Sequence, residues 1–326
     1  MKNYRIKKYE IQDFEQWNDF IAQSKNGTFL FDRNFMDYHA NRFQDFSLIV
    51  LDAEKWIAVL PANVDANVVY SHQGLTYGGL VYNEKQKLET VVTIFSEILK
   101  FLNNNKIVKL IVKVIPHIYH KKPAEELNYA LFLADAKLIR CDSLSVIDLT
   151  KKNRITSGRL EGVKKGIKNK LLIREETTFE LFWNEILIPN LKNKFEVKPV
   201  HSLEEITKLR QMFPKNIRQF NAYQNNKIVG GTTIFESENV AHSQYISANE
   251  TKSENGSLDF LHHYLISQVF KNKKHFDFGI SNEEQGRKLN LGLSYWKESF
   301  GASTVIQHFY EIETKNHTFI TSYKTK

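Results

Sequence analysis

Apolar residues recur along this chain with two periods. Runs such as Phe46-Ser47-Leu48-Ile49-Val50, Trp56-Ile57-Ala58-Val59-Leu60 and Leu110-Ile111-Val112-Lys113-Val114-Ile115 are short, rich in β-branched residues and bounded by polar breaks, as strands are. Between them Val92, Phe95, Leu99 and Leu102 fall at i, i+3, i+7 and i+10, one stripe of a helix. The first half therefore reads as a strand at 4–6, helices around Trp17 and Phe35, and three strands between 46 and 79. A helix, a strand over 110–115, a helix over 124–134 and a last strand over 144–149 follow.

The second half repeats this order. A strand at 171–173 precedes a helix bearing Phe179, Phe182, Trp183 and Ile186. Ser202, with Glu205 three residues on, forms a capping-box signature and opens a second helix through Leu209. Three strands over 219–223, 228–235 and 240–248 lead to a helix with Leu258, Leu261 and Leu265 on one face. A strand over 275–280, a helix over 289–300 and a strand over 305–312 complete it. Ile57 and Ile228, Ile115 and Ile280, and Leu149 and Ile312 are equivalent points, offset by 171, 165 and 163 positions. So many elements agreeing in type, order and spacing point to tandem copies of one α/β (α+β) unit, each a mixed, mostly antiparallel sheet flanked by helices. The expected domains are 1–155 and 156–326.

Composition agrees. A length of 326 residues asks for about two domains, and 42% apolar with 13% aromatic residues is enough for two real cores, which excludes a disordered or fibrous chain. The single cysteine, Cys141, excludes an internal disulfide and a multi-cysteine zinc site. No apolar run approaches the ~18–20 residues of a membrane span, and Met1–Lys8 leads into no signal-peptide stretch. A cytoplasmic protein is expected, with no resident metal and an oligomeric state that the sequence leaves open. His117 and His120 lack a nearby carboxylate or cysteine to complete a metal site.

The net charge of +8 favours an anionic partner. It is concentrated. Between Lys151 and Lys170 lie eight lysines and arginines against one acid, Glu161. This run reads either as a solvated basic helix or as an anion-attracting rim.

Two stretches carry a family resemblance. One is Ser71-His72-Gln73-Gly74-Leu75-Thr76-Tyr77-Gly78-Gly79-Leu80. The other runs Phe276-Asp277-Phe278-Gly279-Ile280-Ser281-Asn282-Glu283-Glu284-Gln285-Gly286-Arg287 and continues to Trp296-Lys297-Glu298 and Phe300-Gly301. With the order of elements, they resemble the tandem, FemAB-like branch of the GNAT acyltransferases. The resemblance implies N-acyl transfer from acyl-coenzyme A, acetyl-coenzyme A in particular, to an amine such as an amino sugar or a cell-envelope precursor. An aminoacyltransferase using aminoacyl-tRNA, or a non-catalytic binding protein, is the alternative. The long helical arm of tRNA-dependent Fem enzymes is absent, which weighs against tRNA; the Lys151–Lys170 run is where tRNA would bind.

The resemblance also points to residues. Acetyl-coenzyme A enzymes of this superfamily carry a glycine-rich loop before the central helix, whose N–H groups hold the pyrophosphate. Here that loop reads Lys252-Ser253-Glu254-Asn255-Gly256-Ser257, with one glycine, so Gly256 and Ser257 are the coenzyme-binding candidates. Acyl transfer to an amine needs a proton acceptor, donors for the oxyanion and a proton for the leaving group. Tyr245, Asp277, Ser281 and Glu284 are the catalytic candidates. His72, Tyr77, His242, Gln244, Asn290 and Lys297 are the substrate-binding candidates. Strict alternation along 242–245 places His242 and Gln244 on one face and Ser243 and Tyr245 on the other.

Overall fold

The computed structural model describes residues 4–322. They form two compact units. Unit one holds the chain up to Asp142, Gln285–Arg287 and everything from Ile306 on; unit two holds Ser143–Glu284 and Lys288–Val305.

In unit one, β1 (Arg5–Lys8) and α1 (Phe14–Gln23) lead to β2 (Leu48–Asp52), β3 (Lys55–Leu60) and β4 (Val68–Tyr70). Next come α2 (Leu88–Asn104), β5 (Lys109–Lys113), α3 (Glu126–Leu133) and β6 (Lys137–Asp148). β1, β2 and β3 pair antiparallel in that order, whereas β4 runs parallel to β5 with Val69 opposite Leu110. The stripe expected on α2 is buried: Val92, Phe95, Leu99 and Leu102 pack with Leu48, Ile57, Leu110 and Val112 into the core of this unit. Each such side chain contributes roughly 1.5–3 kcal/mol by leaving water.

In unit two, α4 (Ser157–Lys168) and β7 (Leu172–Glu176) precede α5 (Ile188–Phe195), which is entered through a π-helical turn, Phe182–Leu187. Pro189 has no N–H to give the Glu185 carbonyl, so the helix widens there. α6 (Leu203–Met212) begins with the expected capping box, Ser202 Oγ accepting from Glu205 N at 3.1 Å and Glu205 Oε2 from Ser202 N at 2.8 Å. β8 (Ile217–Gln224), β9 (Lys227–Glu236), β10 (Val240–Ala248), α7 (Ser257–Tyr264), β11 (His275–Ile280), α8 (Leu291–Glu298) and β12 (Ser303–Glu313) complete the order. Asn225 and Asn226, both at positive φ, make the tight turn between β8 and β9. The strand order is β7-β8-β9-β10-β11-β6. Leu261 and Leu265 cover Phe220, Ile234, Phe276 and Phe278 on one face, and Phe300 and Trp296 close the edge of that core.

The last strand of each half is exchanged. The end of β6 pairs antiparallel with β11 in unit two, Leu144 opposite Ile280 and His275 opposite Asp148. The end of β12 pairs with β5 in unit one, from Phe309 opposite Lys113 to Glu313 opposite Lys109. The division therefore differs from a single cut between 155 and 156. Which ladder a strand joins is a tertiary choice that its own alternating pattern does not carry.

Candidate functional site

β10 and β11 pair in parallel over three residues only: Val240 with His275, Ala241 with Phe276, and His242 with Asp277. Beyond Asp277 the strands part. Phe276 and Phe278 turn into the core under α7, so Asp277 faces the opposite side of the sheet. It is fully buried, and its Oδ1 accepts the Gly279 N–H at 2.7 Å. Its Oδ2 stands 3.0 Å from Nδ1 of His242. A carboxylate there holds the proton on Nδ1 and leaves the lone pair on Nε2, the arrangement of an oriented base. Gly279 has φ +72°, a left-handed conformation, and a Cβ on it would lie 3.1 Å from His242 Cε1. Glycine is needed on both counts.

Lys297 reaches the same turn from α8. Its side chain is buried, 2% exposed, and Nζ donates to the carbonyls of Gly279 at 3.0 Å and Ile280 at 2.6 Å. Burial pushes its pKa down to about 8, with Asp277 opposing the shift. Ser281, the next residue, has a buried hydroxyl with no hydrogen-bond partner. Three of the candidates thus converge on Gly279: a buried acid, an imidazole and a buried amine.

The other candidates are placed differently. Strict alternation fails along β10, because its register against β9 shifts between Thr233 and Ile234. His242 lies opposite Phe235 and Tyr245 opposite Thr233, so His242 and Tyr245 share a face, and Gln244 is the residue left unpaired in the bulge. The Tyr245 hydroxyl lies 2.7 Å from His201 Nδ1 and accepts the His201 N–H at 3.1 Å, with Trp183 packed edge-on against its ring. His201 carries no local signal in the sequence; it lies 44 positions away. Glu284 is an exposed turn carboxylate at φ 50°, 3.5 Å from Lys288, and not a buried base. Asn290 is the N-cap of α8: its Oδ1 accepts from Leu293 N at 3.0 Å and its amide donates to Glu283. Both ends of its amide are thus engaged in shaping the turn into α8.

The coenzyme candidates are covered. Gly256 opens α7 at φ +71°, and a Cβ on it would lie 2.1 Å from the Gly162 carbonyl oxygen of α4. Ser257 is fully buried, and its N–H is already given to Asn255 Oδ1 at 2.9 Å. Asp259, in the first turn, accepts from Arg159 of α4 at 2.5 Å and from Trp296 at 3.0 Å. The helix end that would hold a pyrophosphate is occupied by α4 and by a carboxylate. Gly256 and Ser257 therefore do not line an open phosphate cradle.

In unit one the equivalent parting of β4 and β5 is stitched shut. Ser71 N donates to Ile111 O at 2.8 Å, Ser71 Oγ accepts from Lys113 N at 2.8 Å, and Gly78 N donates to Lys113 O at 2.6 Å. His72 is buried in the loop between them, stacked on His39 at 5.0 Å, and burial pushes its pKa down to about 3. Tyr77 is buried too, its hydroxyl donating to Thr28. Neither presents a substrate-facing group. Among the described residues, no group of three or more His, Cys, Asp and Glu is placed to hold a metal, and no helix is long and apolar enough to cross a membrane.

No family model matches the sequence, and no curated protein matches it. Solved structures do. FemX superposes with a TM-score of 0.68 over 95% of this chain and 98% of its own, at 8% identity. The C-terminal domain of a proposed lysylphosphatidylglycerol synthetase from Agrobacterium fabrum gives 0.60 over 96% of both chains at 9% identity. A tandem GNAT protein from the clavulanic acid biosynthesis pathway gives 0.52 over 96% of this chain and 99% of its own, at 9% identity.

Proposed function

Since the chain has a FemAB-like, GNAT-type fold, we propose that it is an acyltransferase whose chemistry lies at the parting of β10 and β11, and that its donor is an aminoacyl ester. In this reading His242, oriented by Asp277, takes the proton from the attacking amine. The Lys297 ammonium, held by two carbonyls, stabilises the oxyanion of the tetrahedral intermediate. The C–O bond to the carrier then breaks, and the departing oxygen receives the proton from His242. A positioned base is worth about 10²–10⁴ in rate and an oxyanion donor about 10²–10³.

The observation that carries the donor class is the Gly162 carbonyl seated on Gly256. A coenzyme A pyrophosphate at the start of α7 would have to displace α4 and face Asp259. An ester carried on tRNA, the alternative donor that the FemAB resemblance implies, makes no demand on that helix end. The acceptor is an amine, with an amino sugar or cell-envelope precursor as the class to screen.

Two incubations test this. The purified protein is given aminoacyl-tRNA or acetyl-coenzyme A with a panel of amines, and label transfer and thermal shift are read. Transfer from the aminoacyl ester, with no shift by acetyl-coenzyme A, is expected. A saturable acetyl-coenzyme A shift that Ser257→Glu abolishes would overturn the donor assignment.

A further inference from the structure

α8 carries apolar side chains on its solvent side as well as on its core side. Trp296 packs inward against Phe278 and Phe300, and Ser294 and Lys297 are buried beside it, while Leu291 is 74% and Tyr295 67% exposed, one turn apart on the outer side. Leu289 and Leu293 are exposed beside them. A helix that buries its lysine and offers its leucines to solvent has an apolar outer face without a partner in this unit.

The basic run adjoins this face. Thr156 N donates to Ser299 O at 3.0 Å and the Asn153 amide to Phe300 O at 2.6 Å, so the segment leading into α4 is tied to the end of α8. Arg159 and Trp296 meet on the same Asp259 oxygen. α4 turns its small residues, Gly162 and Gly166, against Asp259 and Phe260 of α7. Its other side carries Lys164 and Lys168 with Leu160 and Ile167 exposed among them. From Lys151 to Lys170 the net charge is +7.

We propose that α4 and α8 together form a surface that docks on an anionic lipid bilayer. Lysines alone would suit any polyanion. Leucine, isoleucine and tyrosine protruding between them is the composition of an interfacial helix, whose apolar side chains enter the headgroup boundary while the lysines stay at the charged surface. A nucleic acid offers no apolar phase for Leu291 or Ile167. The proposal is independent of the donor: vesicle binding and acyl transfer are read separately, so either fails without the other.

The test is co-sedimentation of the full chain with vesicles of phosphatidylcholine alone or mixed with phosphatidylglycerol. Binding at least about tenfold stronger to the mixed vesicles, weakening as salt rises, is expected. K164E/K168E should lose most of that preference. L291S/Y295S should retain the salt dependence and bind at least about tenfold more weakly. All four positions are exposed, and an unchanged melting temperature checks the fold. Wild type left in the supernatant with anionic vesicles, or both variants sedimenting like wild type, would overturn the proposal. So would salt-sensitive tRNA binding through Lys164 and Lys168 with no vesicle association.

Discussion

Gly162 and Gly256 meet backbone to backbone, the carbonyl of one standing where a Cβ of the other would be. This contact closes the start of α7 and ties α4 to it, joining a packing decision to a chemical one. A Cβ on Gly162 would lie 1.8 Å from Asp259 Oδ2. Gly162→Val should therefore cost about 3 kcal/mol through overpacking and loss of the Arg159–Asp259–Trp296 contacts. Urea denaturation measures it, and an unchanged midpoint would show that α4 is only loosely docked.

Asp277→Asn keeps the shape of the side chain and removes the charge that holds the His242 tautomer. Acyl transfer should fall about 10²–10⁴-fold in the single-turnover rate, with little change in acceptor KM. Activity within a factor of about two of wild type would remove His242 as the base.

Lys297 acts in this reading as an ammonium, and its pKa is pushed down to about 8. Loss of that ammonium should make the rate fall about tenfold per unit above that pH. Lys297→Arg should be slower at neutral pH yet lack the alkaline limb, because arginine stays charged. A rate that rises through pH 8 would instead make Lys297 a base.

Acid should destabilise the fold before the carboxylates titrate. Burial pushes His262 and His120 down to about 4 and His72 to about 3, from an ordinary 6.5. Depressed histidines bind fewer protons folded than unfolded. Their stabilisation is complete above about pH 6.5 and is lost as pH falls from there towards 4, or towards 3 for His72; for His262 it is on the order of 3 kcal/mol. His262 is fully buried beside Phe278, Trp296 and Phe300, with Nε2 unpartnered. His262→Leu should flatten the decline in melting temperature between pH 6.5 and 4.5. Parallel wild-type and variant curves would sink this assignment.

Much of the fold was legible because burial repeats at short range. The stripe Val92–Leu102 and the Ser202–Glu205 box depend on residues within a few turns of one another. Of the residues that meet at Gly279, Asp277 alone stands between apolar neighbours, Phe276 and Phe278; His242 and Lys297 lie in mixed segments and were candidates through the family resemblance. Tyr245 was placed on the wrong face because a bulge changes parity without leaving a mark in composition.

The sequence by itself determined the local elements, their order along the chain and the density of charge between Lys151 and Lys170, since propensity and periodicity are properties of neighbouring residues. Only the tertiary structure decided which unit each final strand joins, that α4 seals the start of α7, and that Gly279 brings Asp277, His242 and Lys297 together. Those outcomes rest on contacts between segments tens to hundreds of positions apart, where one carbonyl or one extra residue in a strand settles what can approach.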